Sequence, residues 1–185
     1  MLWFVSLAFA GAVAGGPSPA AANTPVKVLA PSPSTVAASL LSTENRRIRA
    51  ATPRVGKLID EGVQRSRTFA ELVKAIHTTN VIIYVEATFG LPPDVSGRIL
   101  FASVAGNQRY LRIQVQSTLG RDLLIATIAH EFQHALEVAA DSTVVDEKGF
   151  LALYRRIGDG LHAGGSYDTE AARMAGRRVR DELLS

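Results

Sequence analysis

Residues 120–140 form an almost continuous apolar segment, and no other stretch constrains the fold of this chain as strongly. Placed on a helix, the apolar side chains point in nearly every direction, which requires burial on most sides. The apolar members are Leu123, Leu124, Ile125, Ile128, Phe132, Leu136 and Val138. The polar members recur at steps of three and four residues: Thr127, His130, His134, Glu137 and Asp141. A buried helix with one polar stripe is expected to face a cleft rather than bulk water.

The polar stripe contains the pattern His-Glu-x-x-His, formed by His130, Glu131 and His134. Residues four apart on a helix share a face at a separation of about 6 Å, so two imidazoles can bind one zinc ion at about 2.0–2.1 Å each. Glu131 would then lie beside the metal, where it can take a proton from a zinc-bound water. The alternative is a pair of core histidines bonded to backbone carbonyls. Because the chain has only four histidines in 185 residues, we favour the metal site.

This motif and its flanking residues resemble those of the zincin metallopeptidases. Thr127 stands three residues before the first histidine, as in the general zincin pattern, and the remaining motif positions up to Leu136 are uncharged. The metzincin variant is excluded, because Glu137 and Ala140 stand where that variant needs Gly and His. A third metal ligand must therefore come from elsewhere in the chain.

The resemblance implies a gluzincin arrangement, in which a glutamate on a second helix completes the metal site. Glu170 fits this role because it lies in the first turn of the last predicted helix. Asp168 is an alternative ligand, or else a helix cap or a carboxylate that orients a ligand histidine. Glu137 is also a candidate ligand, but an orienting role suits it better, since a straight helix cannot easily bring a third ligand round the metal. His162 is a further candidate ligand, and His162 or Tyr167 could donate a hydrogen bond to a developing oxyanion.

The segments around the motif helix predict an α+β fold. Val81–Val85 is predicted to be a buried strand, and Arg98–Ala105 with Arg109–Ser117 a hairpin that leads into the motif helix. Two helices are predicted after it, the last over Ser166–Leu184. We expect a small zincin-like domain with a short, mostly antiparallel sheet packed on the active-site helix and a helical C-terminal part. The resemblance also implies that the Arg98–Ser117 hairpin just before this helix forms the sheet edge, where a substrate peptide can pair.

The first 39 residues divide by composition into two segments before the domain. Residues 1–16 are uncharged and apolar, which is typical of a secretory signal, with an uncleaved N-terminal anchor as the alternative. Residues 17–39 are rich in Pro, Ser and Ala and predict a disordered linker. The metallopeptidase domain is expected over residues 40–185, in an exported protein that is periplasmic or secreted.

Composition limits the classes of partner and the types of metal site that we expect for this chain. The chain has no cysteine, so neither disulfides nor thiolate zinc sites are possible. The net charge is only +3 and the arginine clusters are not interleaved with aromatic residues, so we expect no nucleic-acid partner. The expected partners are Zn²⁺ and a peptide or protein substrate.

Taken together, these patterns predict a zinc metallopeptidase in which His130, His134 and Glu170 bind zinc and Glu131 is the general base. Two alternatives remain. One is a non-catalytic zinc-binding or regulatory module that keeps the fold, and the other is a metal-free helical domain that serves for interaction. An open coordination position would favour the enzyme, whereas a fourth protein ligand would favour a closed structural site.

Overall fold

The computed structural model describes two ranges of the chain, residues 46–159 and 168–185. From Arg47 onward these residues belong to one compact unit. The predictions for residues 1–16 and 17–39, for a domain start near Leu40, and for His162 and Tyr167 lie outside the described residues.

A four-stranded sheet forms one layer of the described unit. Its strands, in the order in which they lie side by side, are β1 (Ile48–Ala50), β2 (Val81–Thr88), β4 (Gln108–Gln116) and β3 (Gly97–Ala105). The predicted hairpin is present as β3 and β4, joined by a turn in which Gly106 has a φ of 57°. Such a left-handed conformation costs glycine little, which explains the turn residue.

One expectation about the sheet is wrong. The sheet is mixed rather than mostly antiparallel, because β2 pairs in parallel with both β1 and β4 and only β3 with β4 is antiparallel. The parallel pairing joins residues far apart in sequence, such as Val81 with Arg109, so local periodicity could not reveal it. Within the hairpin the edge strand is β3, because β4 lies between β2 and β3.

Five helices of the described ranges form the other layer. They are α1 (Pro53–Arg65), α2 (Arg67–His77), α3 (Arg121–Ala140), α4 (Glu147–Ile157) and α5 (Glu170–Leu184). Side-chain oxygens cap the starts of α1, α2, α4 and α5, as when Ser66 accepts from the amide of Phe69 at 3.0 Å. The α+β class is thus confirmed. None of these helices combines the length and apolarity that a membrane span requires.

The motif helix α3 is the centre of the fold. It packs against α2, α5 and the β3–β4 hairpin, which buries it on most sides as its sequence predicts. Its Ile128 and Phe132 are fully buried in one core cluster with the inner faces of β2 and β4. Phe132 also contacts Phe69 of α2, with ring centroids 5.5 Å apart.

A buried arginine fixes the C-terminal end of α3 against the sheet. Arg109, the second residue of β4, is 6 % exposed and donates to the carbonyls of Val138 at 2.7 Å, Asp141 at 2.6 Å and Ala139 at 2.9 Å. A cation at this position satisfies carbonyls that have no partner within the helix and interacts favourably with the helix dipole. Asn80 accepts from the same guanidinium at 2.7 Å. The direction of the motif helix is therefore set by β4.

A carboxylate of α5 caps α2, and its removal should lower stability in a pH-dependent way. Glu182 accepts from the amide of Thr68 at 3.0 Å, from its hydroxyl at 2.6 Å, and from the hydroxyl of Ser66. Although burial acts in the opposite direction, these donors hold the pKa of Glu182 below its ordinary value of 4.5. We expect Glu182→Gln to lower the free energy of unfolding by about 1–2 kcal/mol near neutral pH, measured by urea denaturation.

A lowered pKa contributes stability above the ordinary value and loses it as the pH falls. The difference between the Glu182→Gln variant and the parent should therefore shrink below pH 4.5. The neighbouring exposed Asp181 provides the control, and Asp181→Asn should unfold like the parent. A difference between Glu182→Gln and the parent that does not depend on pH would contradict this assignment.

Candidate metal centre

Three buried donor atoms converge beside α3. The Nε2 atoms of His130 and His134 lie 3.2 Å apart, and Oδ1 of Asp168 lies 3.4 Å from the first and 3.5 Å from the second. His130 and His134 are each 1 % exposed, and Asp168 is 4 % exposed. In the described ranges these three residues form a group able to hold a metal ion.

The spacing of these atoms fits a small divalent metal. A tetrahedral zinc ion with bonds of about 2.0–2.1 Å holds its ligand atoms about 3.3–3.4 Å apart. The three observed separations, 3.2, 3.4 and 3.5 Å, lie around that value. Three such donors leave a tetrahedral ion one further coordination position. Two imidazoles and one carboxylate can therefore bind a metal here without rearrangement.

Helix α3 and its neighbours hold the two histidines in place. The imidazole rings of His130 and His134 meet edge to face, with centroids 4.8 Å apart and planes at 78°. The hydroxyl of Tyr154, on α4, donates to the backbone carbonyl of His134 at 3.0 Å. On the other side, a Cβ added at Gly176 of α5 would lie 3.3 Å from both the Ala126 carbonyl oxygen and the His130 Cβ. The absence of a side chain at residue 176 thus lets α5 approach the metal ligands.

The structure places Asp168, and not Glu170, at the third corner of the donor group. Glu170 is the first residue of α5, but its carboxylate is 61 % exposed and pairs with Arg173 at 2.8 Å and Arg177 at 2.7 Å. Residues three and seven positions apart share a helix face, so Glu170 lies on the outer face with these arginines. In the described ranges Glu170, which the sequence favoured as the third ligand, thus lies outside the donor group, and Asp168 is its third member. Asp168, the residue before the helix cap, is buried, and Glu170, the first helical residue, is exposed.

A carboxylate behind His134 sets the tautomer of its ring. Glu137 lies 2.8 Å from His134 Nδ1, and it also accepts from the Thr169 hydroxyl at 2.7 Å. A carboxylate beside Nδ1 favours the neutral tautomer with the proton on Nδ1, in which Nε2 presents a lone pair to a metal. Thr169 in turn accepts from the amide of Ala172 as the N-cap of α5. The ligand histidine is thus hydrogen-bonded through Glu137 to the start of α5.

Burial and mutual charge shift the pKa values of the site in opposite directions. Burial, which outweighs the opposing effect of His134, raises the pKa of Glu131 to about 8. Burial alone would lower the pKa of His134, but the Asp168 and Glu137 carboxylates outweigh it and raise that pKa to about 10. Burial also lowers the pKa of His130, with His134 and Arg173 acting in the same direction. The metal-free site thus concentrates acidic groups around two imidazoles, an arrangement that a bound cation would stabilise.

Glu131 lies against the first residue of the edge strand. Glu131 is 1 % exposed, and its Oε2 has no hydrogen-bond partner in the described part of the chain. A Cβ added at Gly97 would lie 2.8 Å from Glu131 Oε1 and 2.6 Å from Thr127 Cγ2. Only glycine leaves room there for the Glu131 carboxylate. A glycine at the start of a strand can signal such a close approach, but the motif pattern alone does not point to it.

The comparisons with protein-family models, with curated proteins and with solved structures found no match.

The choice between the two carboxylates can be tested by metal binding. We expect Asp168→Ala to weaken zinc binding by at least about 100-fold, because it removes one of three ligands. Glu170→Gln should bind zinc much like the parent, since its carboxylate faces solvent and arginines. Competition titration against a chromophoric chelator measures both. A strong loss of zinc affinity in Glu170→Gln, with parental zinc affinity in Asp168→Ala, would make Glu170 rather than Asp168 the third ligand.

The close approach at Gly97 predicts a selective effect on Glu131. Gly97→Ala should displace the Glu131 carboxylate and lower the free energy of unfolding by about 1–3 kcal/mol through overpacking. Zinc should still bind at one ion per chain, as measured by elemental analysis, because no donor atom is removed. Gly56→Ala is the matched control, since its Cβ would meet only Ala50 Cβ at 3.8 Å. Equal stability of the Gly97→Ala variant and the parent would contradict the close approach.

Proposed function

We propose that this protein is a zinc-dependent hydrolase that cleaves peptide bonds. The observation that carries the proposal is the pairing of a buried His130–His134–Asp168 donor group with the adjacent buried Glu131, whose Oε2 has no partner in the described ranges. A donor group alone would suit a structural ion. A buried acid beside it, held by no hydrogen bond at one oxygen, suits a group that handles protons.

The donor set favours a catalytic rather than a structural zinc. Structural zinc sites use four protein ligands, mostly cysteines, and this chain has no cysteine. Catalytic zinc sites use three protein ligands, commonly two histidines and a carboxylate, and keep one position for water or substrate. Zinc bound here would supply Lewis acidity, polarising a substrate carbonyl and making a water molecule acidic.

The remaining chemistry falls to residues of the chain. Glu131 accepts a proton from the attacking water at a carboxylate oxygen and later donates it to the amine nitrogen as the amide C–N bond breaks. Glu137 keeps the His134 proton on Nδ1, so that Nε2 stays available as a ligand. Tyr154 fixes the backbone beneath His134.

A peptide is the substrate class that the fold favours. The edge strand β3 pairs with β4 on one side, and no other described strand pairs with it. Its first residue, Gly97, adjoins Glu131, so a peptide paired with β3 would pass beside the proposed base. The resemblance of the motif to zincin peptidases agrees with this choice of substrate.

The proposed base can be separated from the metal ligands by mutation. Glu131→Gln should keep one zinc ion per chain but lower kcat by at least about 100-fold, because the amide cannot accept the proton from water. Cleavage of a mixed peptide pool, followed by mass spectrometry, measures the loss for whichever peptide sequences the parent protein cleaves.

Gln133→Ala is the matched control within the motif. Gln133 lines a surface cavity of about 430 Å³ with residues of α2 and α5, including Thr68 and Met174. The Gln133→Ala variant should therefore cleave peptides like the parent. Parental cleavage by Glu131→Gln would refute the proposed mechanism, and a parent that binds no zinc would refute the metal site itself.

A further inference from the structure

Arg173, on α5, reaches the oxygen of Asp168 that faces away from the histidines. Its Nη1 lies 3.6 Å from Asp168 Oδ2, whereas both imidazoles face Oδ1. The amide of Thr169 donates to the same Oδ1 at 2.7 Å. The two oxygens of this carboxylate therefore have different surroundings, one facing the metal position and the other facing a guanidinium.

The other donors of Arg173 are occupied by carboxylates of the protein. Its Nε lies 3.1 Å and its Nη2 2.8 Å from Glu170 Oε2, and Nη2 also pairs with Asp159. The side chain is only 23 % exposed. A guanidinium with its donors engaged in this way is poorly placed to bind an anionic substrate. Arg173 is better placed to fix the groups that it already contacts.

These contacts join α4 and α5 behind the third ligand. Asp159 follows the end of α4, and its amide donates to the backbone carbonyl of Asp168 at 2.9 Å. Arg173 adds a side-chain link between Asp159 and Glu170, the first residue of α5. The backbone and the outer oxygen of Asp168 are therefore both fixed by groups that do not contact the histidines.

We propose that Arg173 is a positioning residue that holds Asp168 Oδ2 and so presents Oδ1 alone to the metal. The inference rests on the proposed metal site and deepens it. A carboxylate can bind a metal through one or both oxygens. If Oδ2 turned toward the ion, it would occupy the position that a water-activating zinc leaves open. Arg173 prevents this by pairing with that oxygen, and its charge offsets part of the acidity around the site.

The test compares variants that differ in this one contact. Arg173→Met removes the pairing, and Arg173→Lys keeps a positive charge on a side chain without the planar fork of arginine. Arg177→Met is the matched control. Arg177 pairs with Glu170 at 2.7 Å, as Arg173 does, but the contact with Asp168 is made by Arg173. Zinc dissociation constants are measured by chelator competition, and the visible absorption of the cobalt(II)-substituted proteins reports coordination number.

We expect Arg173→Met to raise the zinc dissociation constant about 10–100-fold. Its cobalt(II) absorption should also weaken, because a second carboxylate oxygen raises the coordination number. Arg173→Lys should recover part of both properties, and Arg177→Met should match the parent. Loss of affinity without any change in the cobalt(II) spectrum would indicate a merely structural role and overturn the inference.

The failures of the two proposals can be told apart. If the parent binds neither zinc nor cobalt, the proposed function and this inference both fail. If the parent binds metal and Arg173→Met shows the parental dissociation constant and spectrum, only this inference fails. Circular dichroism of the metal-free proteins checks folding, and if Arg173→Met is unfolded, Arg173→Gln decides by the same two measurements.

Discussion

Desolvation of ionisable groups on the motif helix α3 (Arg121–Ala140) is the constraint on which the rest of this structure depends. His130, Glu131 and His134 are each 1 % exposed within a helix whose other buried residues are almost all apolar. Such groups are costly to bury unless hydrogen bonds, opposite charges or a metal compensate them. The segment that leads into α5 supplies compensation for the two imidazoles. It brings Asp168 beside both rings, and Thr169 holds Glu137 against His134.

A series of aromatic contacts links the edge of the sheet to the metal ligands. Phe101 of β3 contacts Phe150 of α4 with centroids 6.3 Å apart, Phe150 contacts Tyr154 at 4.9 Å, and Tyr154 contacts His134 at 5.2 Å. Tilted and edge-to-face pairs of this kind stabilise packing beyond simple burial. The strand proposed to bind substrate and the helix that carries the ligands are thereby packed through α4 as well as directly.

The sequence predicted this site up to its third ligand. His130 and His134 share a helix face by spacing alone, and the apolar residues around them predict burial, so this half of the site follows from local pattern. The placement of Glu170 could have been judged the same way. It stands two residues before the inward-facing Ala172, which is about 200° around a helix, and so belongs on the outer face. Asp168 precedes the helix, so its direction depends on the cap geometry rather than on any periodicity.

The Thr169 hydroxyl joins two processes that are usually separate. It begins α5 by accepting from Ala172, and it also holds Glu137 against the ring of His134. Fraying of the first turn of α5 would therefore release the orientation of a metal ligand at the same moment. With the proposed metal bound, local unfolding of this helix and loss of the ion would become one equilibrium, so that the metal would protect the terminal helix and the intact helix would retain the metal.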